Sequence, residues 1–519
     1  MSKLLKSSGG IGAATMLSRI LGLVREFFYA SFMGISPEAA AFFYAFMAPN
    51  LFRRLLGEGA LTAAFIPIFK AKEKNDGETA MWRAANAVLS ALVVAAGGVA
   101  VVAMIGITIA LACHIWSQET RLMLQLMRLM FPYMTLACVA AVLIGICNAR
   151  GHFFIPALGA ALLNVVMIAS VLLLAPRLGA TLSTQVFGLA IGVIVAGIAQ
   201  ASFQLPTLHK EGFRFQWISP WGDPIVREVL IKMIPSSIGV AAFQINVLVT
   251  QSLAFGENGP IVAIFQYAVR LMELPQGVVG LSLATFLLPT LSSLAVEKNY
   301  GQFRATLREG VSYLIYINLL ASVLLFTLAE PIVRLLFQHG SFRAAATEQV
   351  SFALACLVPG LISFSLVNIL ARAFYALEDV KTPAKISIFC LVLNLAFTAF
   401  LLFGFHLGAG ALGVANSLSS FCNLALLTFA LRKKLRTLEM APCVAQFPSL
   451  AGACVAAGVI SYGLRRIWTH YIGHTALPQR LGEVFVPLLT ASVAYLALTV
   501  WLKVPSAREV VALARSRVK

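Results

Sequence analysis

The sequence predicts an all-α polytopic membrane protein: fourteen transmembrane helices in two pseudo-symmetric six-helix lobes, followed by two further helices. Three observations lead there. Of 519 residues 60% are hydrophobic and 12% charged, with mean hydropathy +0.88, whereas a soluble domain carries about 25% charged residues. The apolar residues fall in blocks of about twenty or more, the length a helix needs to cross hydrocarbon. Finally, the 39 basic residues recur in short clusters between those blocks. That pattern follows the positive-inside rule and argues against nucleic acid as the reason for the +18 charge.

In chain order the helices are expected near 10–34, 38–69, 84–111, 123–148, 154–175, 184–206, 229–255, 262–292, 309–329, 346–376, 385–404, 409–431, 445–463 and 486–504. Lys3 and Lys6 precede the first, but no small-residue cleavage site follows, so no removable leader is expected. Most of the others are separated by short polar turns. The run Ile386–Leu431 has no charge and is too long for one span; Gly404, His406, Gly408 and Gly410 supply its break. The eight cysteines form no CxxC pair and mostly lie in apolar stretches, which suits small core residues rather than a disulfide frame or metal site.

With the N-terminus inside, the inward segments hold 25 of the 39 basic residues, the outward segments 7 and the spans 7. Both termini are therefore expected in the cytoplasm. A faint repeat supports the two lobes. Pro132 and Pro156 are 24 residues apart, as are Pro359 and Pro383, and FFYAFMAPN…GALTAAFIP is echoed by FQYAVRLMELP…GLSLATFLLP. Six spans in residues 1–210 then parallel six in 211–436, a duplication familiar in secondary transporters, and 437–519 lie outside it.

Charges inside the spans are the functional signal, because an ionised group at bilayer depth is costly unless it is paired, hydrated or at an interface. Arg19 and Glu26 are two turns apart and share a face of the first helix; Arg25 is displaced by about 100° and, being adjacent to Glu26, is not expected to pair with it. Arg25 and Glu26 have a second reading, as residues that snorkel to the outer interface. In the second helix Asn50, Arg53, Arg54 and Glu58 sit on adjoining turns. Arg54 and Glu58 are spaced to pair, which leaves Arg53 available, and Pro49 with Gly57 and Gly59 interrupts the helix. An interhelical salt-bridge knot is the other reading of this group. Arg270 and Glu273 form a similar group in the eighth span. Arg128 and Arg372 suit interfacial anchors, and Asn164, Asn246, Asn368, Asn394 and Asn416 suit hydrogen bonds between helices. Arg19, Arg25, Arg53 and Arg270 outweigh the mid-span carboxylates. Guanidinium forks fit phosphate or diphosphate, so an anionic substrate is expected rather than a cationic drug. No nucleotide-binding loop, zinc signature or nucleophile motif occurs; a transporter without cofactor, driven by the membrane potential or an ion gradient, is expected rather than an enzyme.

The stretches SRILGLVRE, FFYAFMAPNLFRRLLGEGALTAAFIP, YAVRLMELPQGVVGLSLATFLLP, FYALEDVKTP and LGVANSLSS resemble the MurJ (MviN) family of lipid II flippases, in the multidrug/oligosaccharidyl-lipid/polysaccharide exporter superfamily. The resemblance covers nearly the whole chain. It implies two six-helix lobes in a V that open alternately, and a substrate of undecaprenyl-diphosphate carrying the disaccharide-pentapeptide, moved from the inner to the outer leaflet. Arg19, Arg25, Arg53 and Arg270 match the family's essential arginines, with Glu26, Asn50, Arg54, Glu58 and Glu273 around them. The last two helices would flank a groove for the polyprenyl tail. Membrane lipid, contact with cell-wall synthesis enzymes, a monomeric state and an inner-membrane location are further implications. The chain departs from the family in having Ala40, with Glu38 nearby, and Glu26 where aspartates are common. Met233–Phe255 and Ile386–Gly404 contain no carboxylate, so no sodium site is expected. Export of another polyprenyl-linked glycan, or drug/cation antiport on the same scaffold, are the competing functions, since scaffold alone does not set substrate.

The orientation is testable by cysteine labelling. A membrane-impermeant thiol reagent added outside should reach cysteines placed at Gln118, Asn258, Leu407 and His474 but not at Asp76, Gly301 or Lys434; outside labelling at Lys434 would reverse the topology.

Overall fold

The computed structural model describes residues 2–56, 60–113, 115–257, 260–277 and 282–508. Their regular structure is entirely helical. In order the helices are α1 (Ser2–Met33), α2 (Pro37–Leu56), α3 (Ala60–Ala112), α4 (Gln118–Ala149), α5 (Phe154–Ala169), α6 (Leu182–Lys210), α7 (Pro224–Glu257), α8 (Pro260–Pro275) and α9 (Ser282–Val296). There follow α10 (Tyr300–Thr327), α11 (Ala329–Phe337), α12 (Ala344–Leu357), α13 (Gly360–Ala376), α14 (Lys381–Ala399), α15 (Ala409–Leu435), α16 (Ala441–Tyr471) and α17 (Leu477–Trp501). Among the described residues nine helices are long and apolar enough to cross a membrane, or ten when α12 and α13, bent by 45°, count as one span. Only helices do this well, because hydrocarbon offers no partner for an unpaired backbone group.

Several element boundaries differ from the sequence expectation. Residues 70–83 continue the helix of α3, interrupted only at Gly77, whose φ of +85° suits glycine. The expected helix 346–376 is two, broken at Val358 and Pro359 where the proline cannot donate a helical hydrogen bond. The short amphipathic α11 was not anticipated, since nine residues show too little periodicity. The Gly404–Gly410 break lies where expected: a π turn at Phe400–Gly404 ends the span and α15 begins after Gly408.

The chain forms two compact units: residues 1–263 with 339–342, and residues 264–338 with 343–519. Within the first unit α7 packs on α2 and α3. In that unit α4 is central: α2, α3 and α6 pack against it, and α5 packs on α1 and α6. Close approach needs small residues. A Cβ at Gly197 of α6 would lie 2.8 Å from the Tyr133 ring of α4. In the second unit α12, α13 and α14 pack on α15, while α9 and α10 pack on α13. There a Cβ at Gly413 would lie 2.9 Å from Cys356. The packing order of the units matches, α2–α4–α6 with α9–α13–α15. The matching helices α5 and α14 both end in a π turn, at Ser170–Leu174 and Phe400–Gly404.

Ionic clusters finish the helix ends. At the basic end of the first unit Arg150 caps α4 and reaches three carboxylates, Glu73, Glu78 at 3.1 Å and Glu211 at 2.8 Å, with its guanidinium 6.0 Å from the Trp82 ring centroid. Hydrogen bonds from His152 and Arg150 hold the Glu211 carboxyl below the usual range. In the second unit Asp379 binds Lys434 at 2.7 Å and caps α14 through Thr382. Burial alone would raise this carboxyl, but the Lys434 and Thr382 hydrogen bonds outweigh it and hold the pKa at about 2.

The intramembrane asparagines divide. Asn164 and Asn394 bond across helices, to the Ser18 carbonyl at 3.1 Å and to Ser419 Oγ at 3.1 Å. Asn368 and Asn416 instead donate to carbonyls one turn back in their own helices, Phe364 and Leu412. An amide satisfied in this way needs no second helix. All eight cysteines are free; five are buried and Cys113 is exposed.

A buried network ties α16 and α17 to the second unit. Arg334 of α11 donates to both oxygens of Glu483 at 2.8 and 3.0 Å and also binds Glu330, which in turn binds Arg465 of α16. The Arg334 and Glu483 side chains are only 10% and 1% exposed. Removing one partner of such a pair strands the other charge. Glu483→Ala should therefore lower stability by about 3–5 kcal/mol, and Arg334→Met combined with Glu483→Met should cost less than the two single changes together. Additive losses in detergent melts would contradict this coupling.

Candidate substrate-binding site

The arginine-bearing face of α1 is set by α5, which lies along it. Asn164 Nδ2 donates to the Ser18 carbonyl, one residue before Arg19, and Gly22 brings α1 close to the same amide. Arg19 is half-buried there.

Arg25 is where sequence geometry misled. It does pair with its neighbour Glu26, and the two side chains are 14% and 5% exposed. Adjacent residues diverge by about 100°, but that angle applies at Cβ; a long arginine arm can fold back around the helix. Nor does Arg25 reach outward as a snorkelling residue does. Its guanidinium lies 5.4 Å from the Tyr29 ring centroid, and Tyr29 packs edge-on against Phe42 of α2 at 5.7 Å. Arg25 Nε is buried with no hydrogen-bond partner among the described residues. A buried donor in that condition favours any acceptor that can reach it.

In α2, Pro49 removes one helical hydrogen bond, and one turn later Arg53 Nε donates to Asn50 Oδ1 at 2.9 Å. Arg53 is thus oriented by Asn50 rather than left available as the sequence spacing suggested. Arg54 is exposed; Glu58, its expected partner, lies outside the described residues. Farther up α2, Tyr44 donates to Ser252 Oγ, whose own hydrogen goes to the Leu248 carbonyl at 2.8 Å, and the Tyr44 ring stacks on Phe255 at 5.3 Å. Sequence reasoning passed over Tyr29 and Tyr44 because aromatic residues in an apolar helix look like packing. Glu38, near the family's aspartate position, accepts from Ser183 Oγ at 2.8 Å.

Arg270 belongs to the second unit, on α8. It pairs with Glu273 at 2.8 Å as the spacing predicted, with side chains 41% and 47% exposed. An exposed i,i+3 pair contributes little, so a stronger anion displaces it readily. The structure brings together Arg25 with Glu26, Arg53 with Asn50, and Arg270 with Glu273.

The family model for the lipid II flippase MurJ matches residues 29–481. The chain belongs to the MurJ family. Relatives include a probable lipid II flippase MurJ of Vibrio cholerae, 34% identical over 441 residues and 82% of each chain. The lipid II flippase MurJ of Burkholderia cenocepacia is 33% identical over 437 residues, 82% of this chain and 83% of that one. Among solved structures, a lipid II flippase MurJ in an inward closed conformation superposes with TM-score 0.74 at 21% identity, covering 95% of this chain and 98% of that one. An inward-facing multidrug transporter of the MATE family gives 0.67 at 17%, covering 83% and 99%. At those identities the structural likeness establishes the fold alone. Membership of the MurJ family makes the chain a multi-pass transport protein of the bacterial inner membrane, not an enzyme.

The Arg25–Glu26 pair makes its own prediction. Glu26→Gln leaves the guanidinium buried without its counter-charge and should lower stability by about 3 kcal/mol, whereas Glu26→Asp should retain most of it. Superimposable melting curves for the three proteins would show that the pairing carries no energy.

Proposed function

We propose that this protein flips lipid II, the undecaprenyl-diphosphate-linked disaccharide-pentapeptide, from the inner to the outer leaflet. Family membership over most of the chain carries the reading, and the sign of the intramembrane charge agrees with it. Arg19, Arg25, Arg53 and Arg270 each contribute to holding the diphosphate. A diphosphate drawn away from the headgroup layer loses hydration, and charge-assisted bidentate bonds replace it. Glu26 and Asn50 keep Arg25 and Arg53 in place when no substrate is bound, and the unpartnered Arg25 Nε gives the substrate a bond that the protein does not supply. Fourteen spans with both termini in the cytoplasm, and six-helix lobes that open alternately, complete the proposal. The matching packing order and π turns of the two units support the duplication. The membrane potential or an ion gradient drives the cycle; one elementary charge moved through 100 mV is worth about 2.3 kcal/mol.

The test is precursor translocation in cells depleted of their own flippase, at matched membrane levels of each variant. Arg19→Ala, Arg53→Ala and Arg270→Ala should abolish it, Arg25→Ala should impair it, and lysine should rescue poorly because it keeps the charge but not the planar fork. Arg54→Ala should be tolerated. Near-normal activity in three of the four alanine variants would end the anionic-site mechanism, and failure of the unaltered protein to complement would end the assignment of substrate.

A further inference from the structure

Between α6 and α7 the chain runs as an extended strap from Phe213 to Asp223, with no helix. Both ends are pinned. Phe213 is buried against the Trp82 ring, 5.6 Å between centroids, and its carbonyl contacts His209 Nδ1 at 2.9 Å. Asp223 is buried, accepts the Ile225 and Val226 amides at the start of α7, and lies 3.4 Å from Arg83. The middle is pinned as well. Asn86 of α3 donates to the Arg214 carbonyl at 2.9 Å and accepts from the Gln216 amide at 3.2 Å; Ser90, one turn on, accepts from the Ile218 amide at 3.2 Å. Asn86 and Ser90 are themselves buried. The strap's backbone is thereby stitched to α3, with Phe213 turned inward and three other large side chains left outward.

Those side chains are Phe215, Trp217 and Trp221, which are 54%, 58% and 81% exposed. Three large aromatics held outward on a fixed backbone form an apolar surface that water disfavours. Their depth can be read from α3. Arg83 is the last charged residue before an uncharged run to Ala112, and the strap crosses α3 just past Arg83, beside Asn86 and Ser90. At 1.5 Å per residue these lie about one to two turns into that run, where headgroups give way to acyl chains. Tryptophan is favoured at this boundary because its ring is apolar and its N–H polar. The adjoining charges have the matching sign. Lys210, Arg214 and Arg227 are exposed and make no ion pair among the described residues, whereas Glu211, Asp223 and Glu228 are each engaged, by Arg150, Arg83 and Lys232.

We infer that the 213–223 strap is a membrane-interface anchor: Phe215, Trp217 and Trp221 insert at the headgroup–acyl boundary, and Lys210, Arg214 and Arg227 bind the phosphates of anionic phospholipid. Basic residues beside an anionic leaflet supply the electrostatic part of such binding. The anchor fixes the start of α7 at a constant depth in the membrane. It stands apart from the arginines proposed for substrate, so it holds whatever the protein transports.

The test uses the full chain in nanodiscs, with five of the six tryptophans changed to phenylalanine so that only Trp217 or only Trp221 remains. Lipids brominated near the top of the acyl chain should quench the remaining tryptophan more strongly than lipids brominated near its end, and aqueous iodide should quench it weakly. Adding anionic lipid at low salt should shift the emission to the blue in the unaltered chain, and Arg214→Gln with Arg227→Gln should remove that response. If multiple replacement unfolds the chain, the difference between the unaltered protein and W217F/W221F carries the same readout. Strong iodide quenching without lipid quenching overturns the proposal and leaves a soluble partner as the occupant of the strap. No response to anionic lipid overturns its electrostatic half.

Discussion

Hydrocarbon leaves no polar group to be satisfied by chance, and nearly every local feature of this protein follows from that constraint. It restricts the spans to helices, whose backbone bonds close within one segment. It favours a partner for a charge that a helix carries inward, and three of the arginines have one close to hand: Glu26 for Arg25, Asn50 for Arg53, Glu273 for Arg270. Glycines such as Gly197 and Gly413 answer the same constraint from the packing side. Where lipid competes with helix association, close backbone approach and dispersion contacts hold helices together.

Ionic clusters join helices to one another. Arg150 gathers three carboxylates from α3 and α6, and Asp379 links the α13–α14 turn to α15. The Arg334–Glu483 pair fastens α17 to α11, and Arg465 with Glu330 fastens α16. On α1, α2 and α8, Arg25 lies beside Glu26, Arg53 beside Asn50 and Arg270 beside Glu273.

The comparisons separate scaffold from purpose. A multidrug transporter of the MATE family shares the fold over most of the chain at 17% identity, so the helical arrangement alone does not set the substrate. The sequence relatives, at 33–34% identity over most of the chain, carry the family assignment. A shared fold does not imply a shared function.

Much of this was legible in the chain itself. Hydropathy blocks marked the nine or ten helices that are long and apolar enough to cross among the described residues; the Gly404–Gly410 break followed from its glycines; and the Arg270–Glu273 pair followed from helical spacing. The arginines stood out because charge inside an apolar run has a cost that composition alone reveals. Other features depend on what lies across from a residue, which one strand of sequence does not encode. Arg25 turns to Glu26 because Tyr29 and the start of α2 close in around it. Asn164 reaches the Ser18 carbonyl of α1, whereas Asn416 bonds within its own helix. Residues 70–83 read as a turn by polarity, yet they are helical on either side of Gly77, and Arg150 and Lys70 engage the carboxylate of Glu73 on that segment. The strap at 213–223 looks like an ordinary loop until Asn86 and Ser90 are seen to fix its backbone and hold its aromatic side chains outward. Sequence determined where the chain can cross a membrane and which charges it carries there. Tertiary packing decided which partner each charge meets, because that depends on distances between segments far apart in the chain.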